Sequence, residues 1–301
     1  MKSIILLCYN RPKKVKECLN ALKSAYSIES YELIVSQQID SSKETQDVTD
    51  LISSINWIKV HHRLYKPKKE DSISTKITSN KYNGFSYAFE TLQSDFCIFI
   101  EDDSVIGFDF LYFCEIMITK YQNDPFFRAV CSFSIESKSD SNLYTYSKFR
   151  FGIGQAYGIT RKHWFSIFKP SWPKKKNILF DVHIETTIKT GYIILPAASR
   201  LKDIGIGPDA SFAVSSKNDY VNKNIKSFVG TSSFEIKDYI FDKKLPFHWR
   251  QDCIHFSWLS PITYALFRFA RKTLSLIFRK DITQILPSFL IKRFVNVTHK
   301  N

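Results

Sequence analysis

The chain has 301 residues and a formal net charge of +14, from 43 Lys and Arg against 29 Asp and Glu, with 44% of its residues apolar. That composition supports a sizeable core and excludes a disordered polyelectrolyte, and the charge points to an anionic neighbour such as nucleic acid, a membrane face or a phosphate-bearing substrate. The six cysteines form no C-x-x-C pair and no dense framework, which excludes a disulfide scaffold or a cysteine-built zinc site and fits a reduced, cytosolic setting.

The opening MKSIILLCYNRPKK has an apolar run of only about seven residues and no small-residue cleavage site, so it reads as a first strand rather than a signal peptide. Residues 3 to 9 (SIILLCY) are that strand, NRPKK punctuates it, and VKECLNALKSA then places Val15, Cys18, Leu19 and Leu22 at helical spacing. YELIVSQQ (31 to 38) predicts a second strand, Glu44 to Ser54 a helix, and NWIKVHHR a third strand. A lysine-rich loop is expected over 66 to 81, then a helix at GFSYAFETLQ and a strand at FCIFI that ends in Glu101, Asp102 and Asp103. From Ala129 onward the runs shorten (AVCSFSI, LYTYS), followed by a glycine-bearing loop, FRFGIGQAYGIT, and the tryptophan-rich RKHWFSIFKPSWPKKKNILFDVHIE. Residues 261 to 294 interleave Arg268, Arg271, Lys272 and Arg279 with Phe267, Ala270, Leu274, Ile277 and Phe278, which describes a basic amphipathic helix. No stretch approaches the roughly 18 uncharged apolar residues that a membrane-spanning helix needs.

Strands alternating with helices predict an α/β fold with a mainly parallel sheet covered on both faces. Ligands of such sheets bind beyond the carboxyl ends of the strands, and the CYNR loop, the SQQ loop and the acidic trio all fall there. Three carboxylates at the end of a buried strand repel one another and require a counter-charge. Hard cations such as manganese or magnesium suit them, because such ions prefer carboxylate oxygen and keep positions open for phosphate. The alternative, acids that cap the next helix, explains poorly why the strand before them is so apolar. Arg11 can offer a bidentate fork to a diphosphate, or it is a solvated arginine before a proline. A G-x-x-x-x-G-K-[ST] loop is absent, and GIGQAYG breaks the dinucleotide fingerprint at Tyr157, so a P-loop NTPase is excluded and a dehydrogenase disfavoured. Asp181 and Glu185 share one face if their segment is helical; Asp181 is either a helix cap or a general base. His183, His248 and His255 form no H-x-x-x-H pair and read as structural or surface histidines. The basic tail carries too much Phe, Leu and Ile for a nucleic-acid arm; it fits an anionic membrane face, or else packs on the chain's own core.

The order of these motifs resembles the glycosyltransferases of GT-A fold, and more narrowly the N-acetylglucosaminyltransferase I family. The matching pieces are ILLCYNRPKKVKECLNAL, LIVSQQ, FIEDDSVIGFDFLYF, FGIGQAYGI, SWPKKKNILFDVHIE and ASRLKDIGIGP, in order over roughly residues 3 to 210. The resemblance implies a nucleotide-sugar-binding half over 1–110 and an acceptor-binding half over 111–232, and the residue pattern beyond them gives a basic amphipathic region over 233–301. The resemblance also implies an inverting transfer with Mn2+ (or Mg2+) from a nucleotide sugar, UDP-GlcNAc in that family. The basic, apolar tail without a membrane span adds the expectation of a glycan or lipid-linked saccharide acceptor at the inner face of a membrane, and the abundance of Lys, Ile, Phe and Ser over Gly and Ala that of a bacterial chain. In this DXD-like scheme Arg11 touches the nucleotide, Asp103 ligates the metal, Glu101 and Asp102 contact sugar and ribose, and Asp181 is the catalytic base. The chain departs from the pattern at Gln38, where the family has an acid for the uracil ring, at Gly84, where it has a histidine near the diphosphate, and at Val182, where a second acid follows the base. Lys81 and Asn83 stand close enough to Gly84 to substitute for that histidine. Two other readings stay open, a sugar nucleotidyltransferase and a non-catalytic, membrane-docked nucleotide- or glycan-binding protein.

Overall fold

A computed structural model describes residues 1–133, 142–149, 155–173, 191–205 and 228–241. Strand β1 (Lys2–Cys8) shows why the sheet is covered on both sides. Ile4, Leu6 and Cys8 point into one apolar cluster, whereas Ile5 and Leu7 point into another. The same alternation divides β2 (Tyr31–Gln38), with Leu33 and Val35 on one face and Ile34 on the other. Because successive side chains of a strand point to opposite faces, an uninterrupted apolar run is what a doubly buried strand requires.

The remaining strands are β3 (Val60–Tyr65), β4 (Phe96–Glu101), β5 (Ser104–Ile106), β6 (Phe127–Cys131), β7 (Thr145–Phe149), β8 (Ala156–Thr160), β9 (Tyr192–Pro196), β10 (Leu201–Asp203) and β11 (Ile240–Phe241). Among the described residues, nine of the strands form one sheet in the order β11-β7-β9-β6-β8-β4-β1-β2-β3, and β5 pairs with β10 in a separate antiparallel ribbon. The pairs β1–β2, β1–β4, β2–β3, β6–β9 and β7–β11 are parallel, and β4–β8, β6–β8 and β7–β9 antiparallel. The expected mixed, mainly parallel sheet flanked by helices is therefore present.

Helices α1 (Pro12–Lys23), α2 (Lys43–Ser53) and α4 (Phe110–Tyr121) cover one face through Val15, Cys18, Leu22, Val48, Ile52, Phe113 and Met117. The other face is covered by α3 (Ile73–Ser86), its π-helical continuation Tyr87–Thr91, and Trp164 and Phe168. Two expectations are corrected here. The loop expected over 66 to 81 becomes helix from Ile73, started by Ser72, whose side chain accepts the Thr75 amide. Residues 156–160, expected within a glycine loop, form β8 between β4 and β6, where Gly158 admits α4: an added Cβ would lie 3.2 Å from Ile118 Cδ1. The chain divides into two compact units, Met1–Lys243 and Lys244–Asn301. The second unit, and with it the expected amphipathic helix, lies outside the described residues, among which no helix is long and apolar enough to cross a membrane.

Candidate functional site

Parallel strands β1, β2 and β4 end together, and the segments that leave their carboxyl ends build one cluster. Asp102 is locked by its amide, which donates to Leu7 O at 3.0 Å, and Asp103 by its carbonyl, which accepts from Ile204 N at 2.8 Å. Arg11, the residue before α1, spans both carboxylates. Its Nη2 donates to Asp102 Oδ1, its Nε lies 3.4 Å from Asp102 Oδ2, and its Nη1 donates to Asp103 Oδ2 at 2.9 Å. Lys81 comes from α3, fully buried, with Nζ 3.2 Å from Glu101 Oε1 and 4.4 Å from the centroid of the Phe99 ring. A charge-assisted pair of this kind is what lets carboxylates and cations share a dry strand end.

Burial raises the Asp102 carboxyl above the ordinary carboxylate range; the Arg11 charge opposes that rise and the Asp103 charge adds to it. For Arg11, burial lowers the guanidinium pKa, but the charges of Asp102 and Asp103 overcome this and hold it fully charged. Asp103 Oδ1 is buried and accepts no hydrogen bond from the described residues. On the Oδ2 side the backbone closes in: a Cβ on Gly205 would lie 2.5 Å from Asp103 Oδ2 and 2.9 Å from Asp203 Oδ1. Gly205 N donates to Asp203 Oδ1 at 2.7 Å, and Lys14 Nζ reaches Gly205 O at 3.4 Å. No group of three or more His, Cys, Asp or Glu side chains that could hold a metal forms among the described residues.

The structure thus brings Arg11, Lys81, Glu101, Asp102 and Asp103 together. Gln38 is buried at the end of β2, where its side chain hydrogen-bonds Tyr9. Asn83, two residues from Lys81, is on the exposed side of α3 and does not join the cluster. Asp181 lies outside the described residues. Sequence reasoning passed over Asp203 and Gly205, although ASRLKDIGIGP carries both; the antiparallel pairing of β10 with β5 is what brings them beside Asp103. It also passed over Asp40, which accepts from Tyr9 Oη, from Ser42 N and Oγ, and from Thr45 Oγ1. Those hydrogen bonds, Ser42's first, hold Asp40 well below the usual carboxylate range, and burial followed by the Asp40 contact pushes the Tyr9 hydroxyl up to about 12. Burial likewise raises the Cys8, Cys18, Cys97 and Cys114 thiols, all free, so none of these is a thiolate. A surface cleft lined by Met1, Tyr31, Trp57 and Asp95 sits at the opposite, amino-terminal edge of the strands and shares no residue with the cluster.

No family model and no curated protein matches the sequence. Solved structures do. S. aureus TarS residues 1–349 in complex with UDP-GlcNAc is 13% identical with a TM-score of 0.46, over 73% of this chain and 63% of that one. TarS 1–349 in complex with UDP is 12% identical with a TM-score of 0.45, over 66% and 59%. The mannosyltransferase PcManGT from Pyrobaculum calidifontis, in complex with GDP-Man and Mn2+, is 12% identical with a TM-score of 0.42, over 66% and 57%. The chain spans about three fifths of the length of the structures it matches. A partial likeness of this size concerns architecture and assigns no activity.

Proposed function

We propose that this chain is a metal-dependent glycosyltransferase of GT-A type that moves a sugar from a nucleotide-sugar donor to a glycan or lipid-linked saccharide. One observation carries the reading: three consecutive carboxylates close a central strand, two are spanned by one arginine fork, and the third residue of the run keeps a buried oxygen that no described residue satisfies. The finer assignments, kinship with the N-acetylglucosaminyltransferase I family, a UDP-linked donor of the UDP-GlcNAc kind and inversion at the anomeric carbon, rest on the motifs quoted from the sequence.

The residues fit a hard divalent cation. Asp103 offers a carboxylate whose Oδ1 accepts no hydrogen bond from the described residues, and Gly205 packs against its Oδ2 closely enough to hold the group in place. In this reading Asp103 would hold Mn2+ or Mg2+, and the bound cation would supply charge stabilisation to the departing nucleoside diphosphate. Arg11 and Lys81 place positive charge at the same strand ends, where a diphosphate is bound in sheets of this kind. In the same reading Glu101 and Asp102 would contact sugar and ribose hydroxyls, Gln38 would meet the base, and Asp181 would take the proton from the acceptor hydroxyl as that oxygen attacks. The basic, apolar region beyond residue 233 docks the enzyme on an anionic inner membrane face, where a lipid-linked acceptor is presented.

The test needs no acceptor, because such enzymes hydrolyse their donors slowly. UDP-, GDP-, CMP- and dTDP-sugars are incubated with the full chain and Mn2+, and nucleotide release is measured. Metal-dependent release from one of them, lost in Asp103→Asn, is the expected result. If none is hydrolysed and calorimetry detects no nucleotide uptake, the reading is wrong and a non-catalytic protein takes its place.

A further inference from the structure

Arg11 and a divalent cation require the same carboxylate. The guanidinium reaches Asp103 Oδ2 at 2.9 Å while grasping Asp102 with its other nitrogens, and its side chain retains about one seventh of its exposure. A cation arriving at Asp103 Oδ1 therefore meets a resident positive charge on the other oxygen of one carboxyl group, in a site dry enough for like charges to repel strongly. The fork has nowhere to slide on the Oδ2 side, because the Gly205 backbone occupies it. It does have freedom to leave: Arg11 occupies the position before α1 without capping the helix through its side chain, so turning the guanidinium outward breaks no capping hydrogen bond.

We propose that Arg11 is an internal competitor for the divalent cation, a resident counter-ion that lowers the affinity of Asp103 for metal until its guanidinium turns away. The inference rests on the reading of Asp103 as a metal ligand. Its consequence is a coupled site: an anion that draws the fork outward, as a diphosphate does, frees both carboxylates for the cation.

Mn2+ binding to the nucleotide-free full chain, followed by the electron paramagnetic resonance of free Mn2+, tests this directly. Arg11→Gln is expected to tighten the dissociation constant at least about tenfold, and Arg11→Lys, which keeps the charge, is expected to leave it near the wild-type value. An unchanged or weaker affinity in Arg11→Gln overturns the proposal, as does equal tightening in both variants, which would make shape rather than charge the cause. Because Arg11→Gln leaves two buried acids without their partner, a second measurement uses the wild type. With 15N-labelled arginine, saturating Mg2+ must move one Nε–H resonance from its hydrogen-bonded position, and a spectrum that Mg2+ leaves unchanged overturns the proposal. None of these readouts involves a donor. If they hold while no nucleotide sugar binds, the transferase reading falls and the competition stands; if sugar transfer occurs while Arg11→Gln leaves Mn2+ affinity unchanged, the competition alone falls.

Discussion

Replacing Asp109 with Asn should cost this fold more than any surface change, and the reason is visible in its surroundings. Asp109 precedes α4 but does not cap it; its Oδ2 accepts from Arg200 Nη2 at 2.8 Å, Arg200 Nε at 3.2 Å and Tyr239 Oη at 2.7 Å. Both charged side chains are completely buried. Arg200 also donates to Ala198 O at 2.8 Å and Leu143 O at 2.5 Å, and it lies against the Phe113 ring. Asp109→Asn keeps the shape and removes the charge, which strands a guanidinium in the core; breaking a buried pair from one side costs roughly 3–5 kcal/mol. With a urea slope of about 3 kcal/mol/M for a unit of this size, the midpoint should fall by about 1 to 2 M. Circular dichroism during urea titration measures it. The reasoning has a second arm, because Asp109 Oδ1 accepts no hydrogen bond from the described residues and the pair is imperfect. Asp109→Leu with Arg200→Met should therefore recover at least about half of the loss, as apolar replacements of buried pairs often do. A single Asp109→Asn variant within about 1 kcal/mol of wild type would refute the argument, since it would mean the pair is hydrated or dispensable.

Three further outcomes are expected. Gly205→Ala drives a methyl group into Asp103, 2.5 Å from Oδ2 and 2.9 Å from Cγ; Mn2+ affinity, measured by calorimetry, should weaken by about 10- to 100-fold, and an unchanged value would show that this backbone does not wall the site. Asp181→Asn should keep nucleotide binding and lose about 100- to 10,000-fold in transfer rate, so near-normal turnover would remove Asp181 from its role as base. His163 is held neutral, first by burial and then by the charges of Arg128 and Lys162, with its pKa lowered to about 4. The unfolded chain takes up that proton near its ordinary value of 6.5, so the stability from this group is complete above that pH. It is lost as pH falls toward 4, at about 1.4 kcal/mol per pH unit and roughly 3 kcal/mol in all. His163→Gln should flatten the dependence of the urea midpoint between pH 6.5 and 4.5, and parallel curves would reject the assignment.

The strands that position the site were legible because they are buried on both faces, and an unbroken run such as IILL or FCIFI suits few places besides a central strand. The misreadings have physical causes. Residues 73–81 look like loop because the side of α3 that faces the sheet is polar: Thr78, Asn80 and Lys81 are buried there, and Asn80 exchanges hydrogen bonds with Ser36 of β2. Periodicity of apolar residues cannot reveal a helix whose inward stripe serves a polar strand end. Gly158 disguised β8 in the same way, since a glycine that weakens strand propensity is here the space into which Cys114 and Ile118 pack. The need for a counter-charge was readable from three adjacent acids. Its source was not, because Arg11 and Asp102 are 91 residues apart and meet only through the pairing of β1 with β4.

That meeting answers why a chain would crowd three negative charges at one strand end. Glu101 is committed to Lys81, a buried ammonium that desolvation would otherwise penalise heavily. Asp102, the more deeply buried aspartate, is committed to the Arg11 fork through both of its oxygens. Asp103 shares the fork through one oxygen and keeps the other. The three carboxylates of the run share two cations, Arg11 and Lys81, and the unfilled acceptor lies on Asp103. Two of the acids thus neutralise the cations that a phosphate ligand needs nearby, and only the last of the run is left to attract a cation from solution. A carboxylate oxygen buried without a hydrogen bond from the described residues is costly to keep unless something binds it.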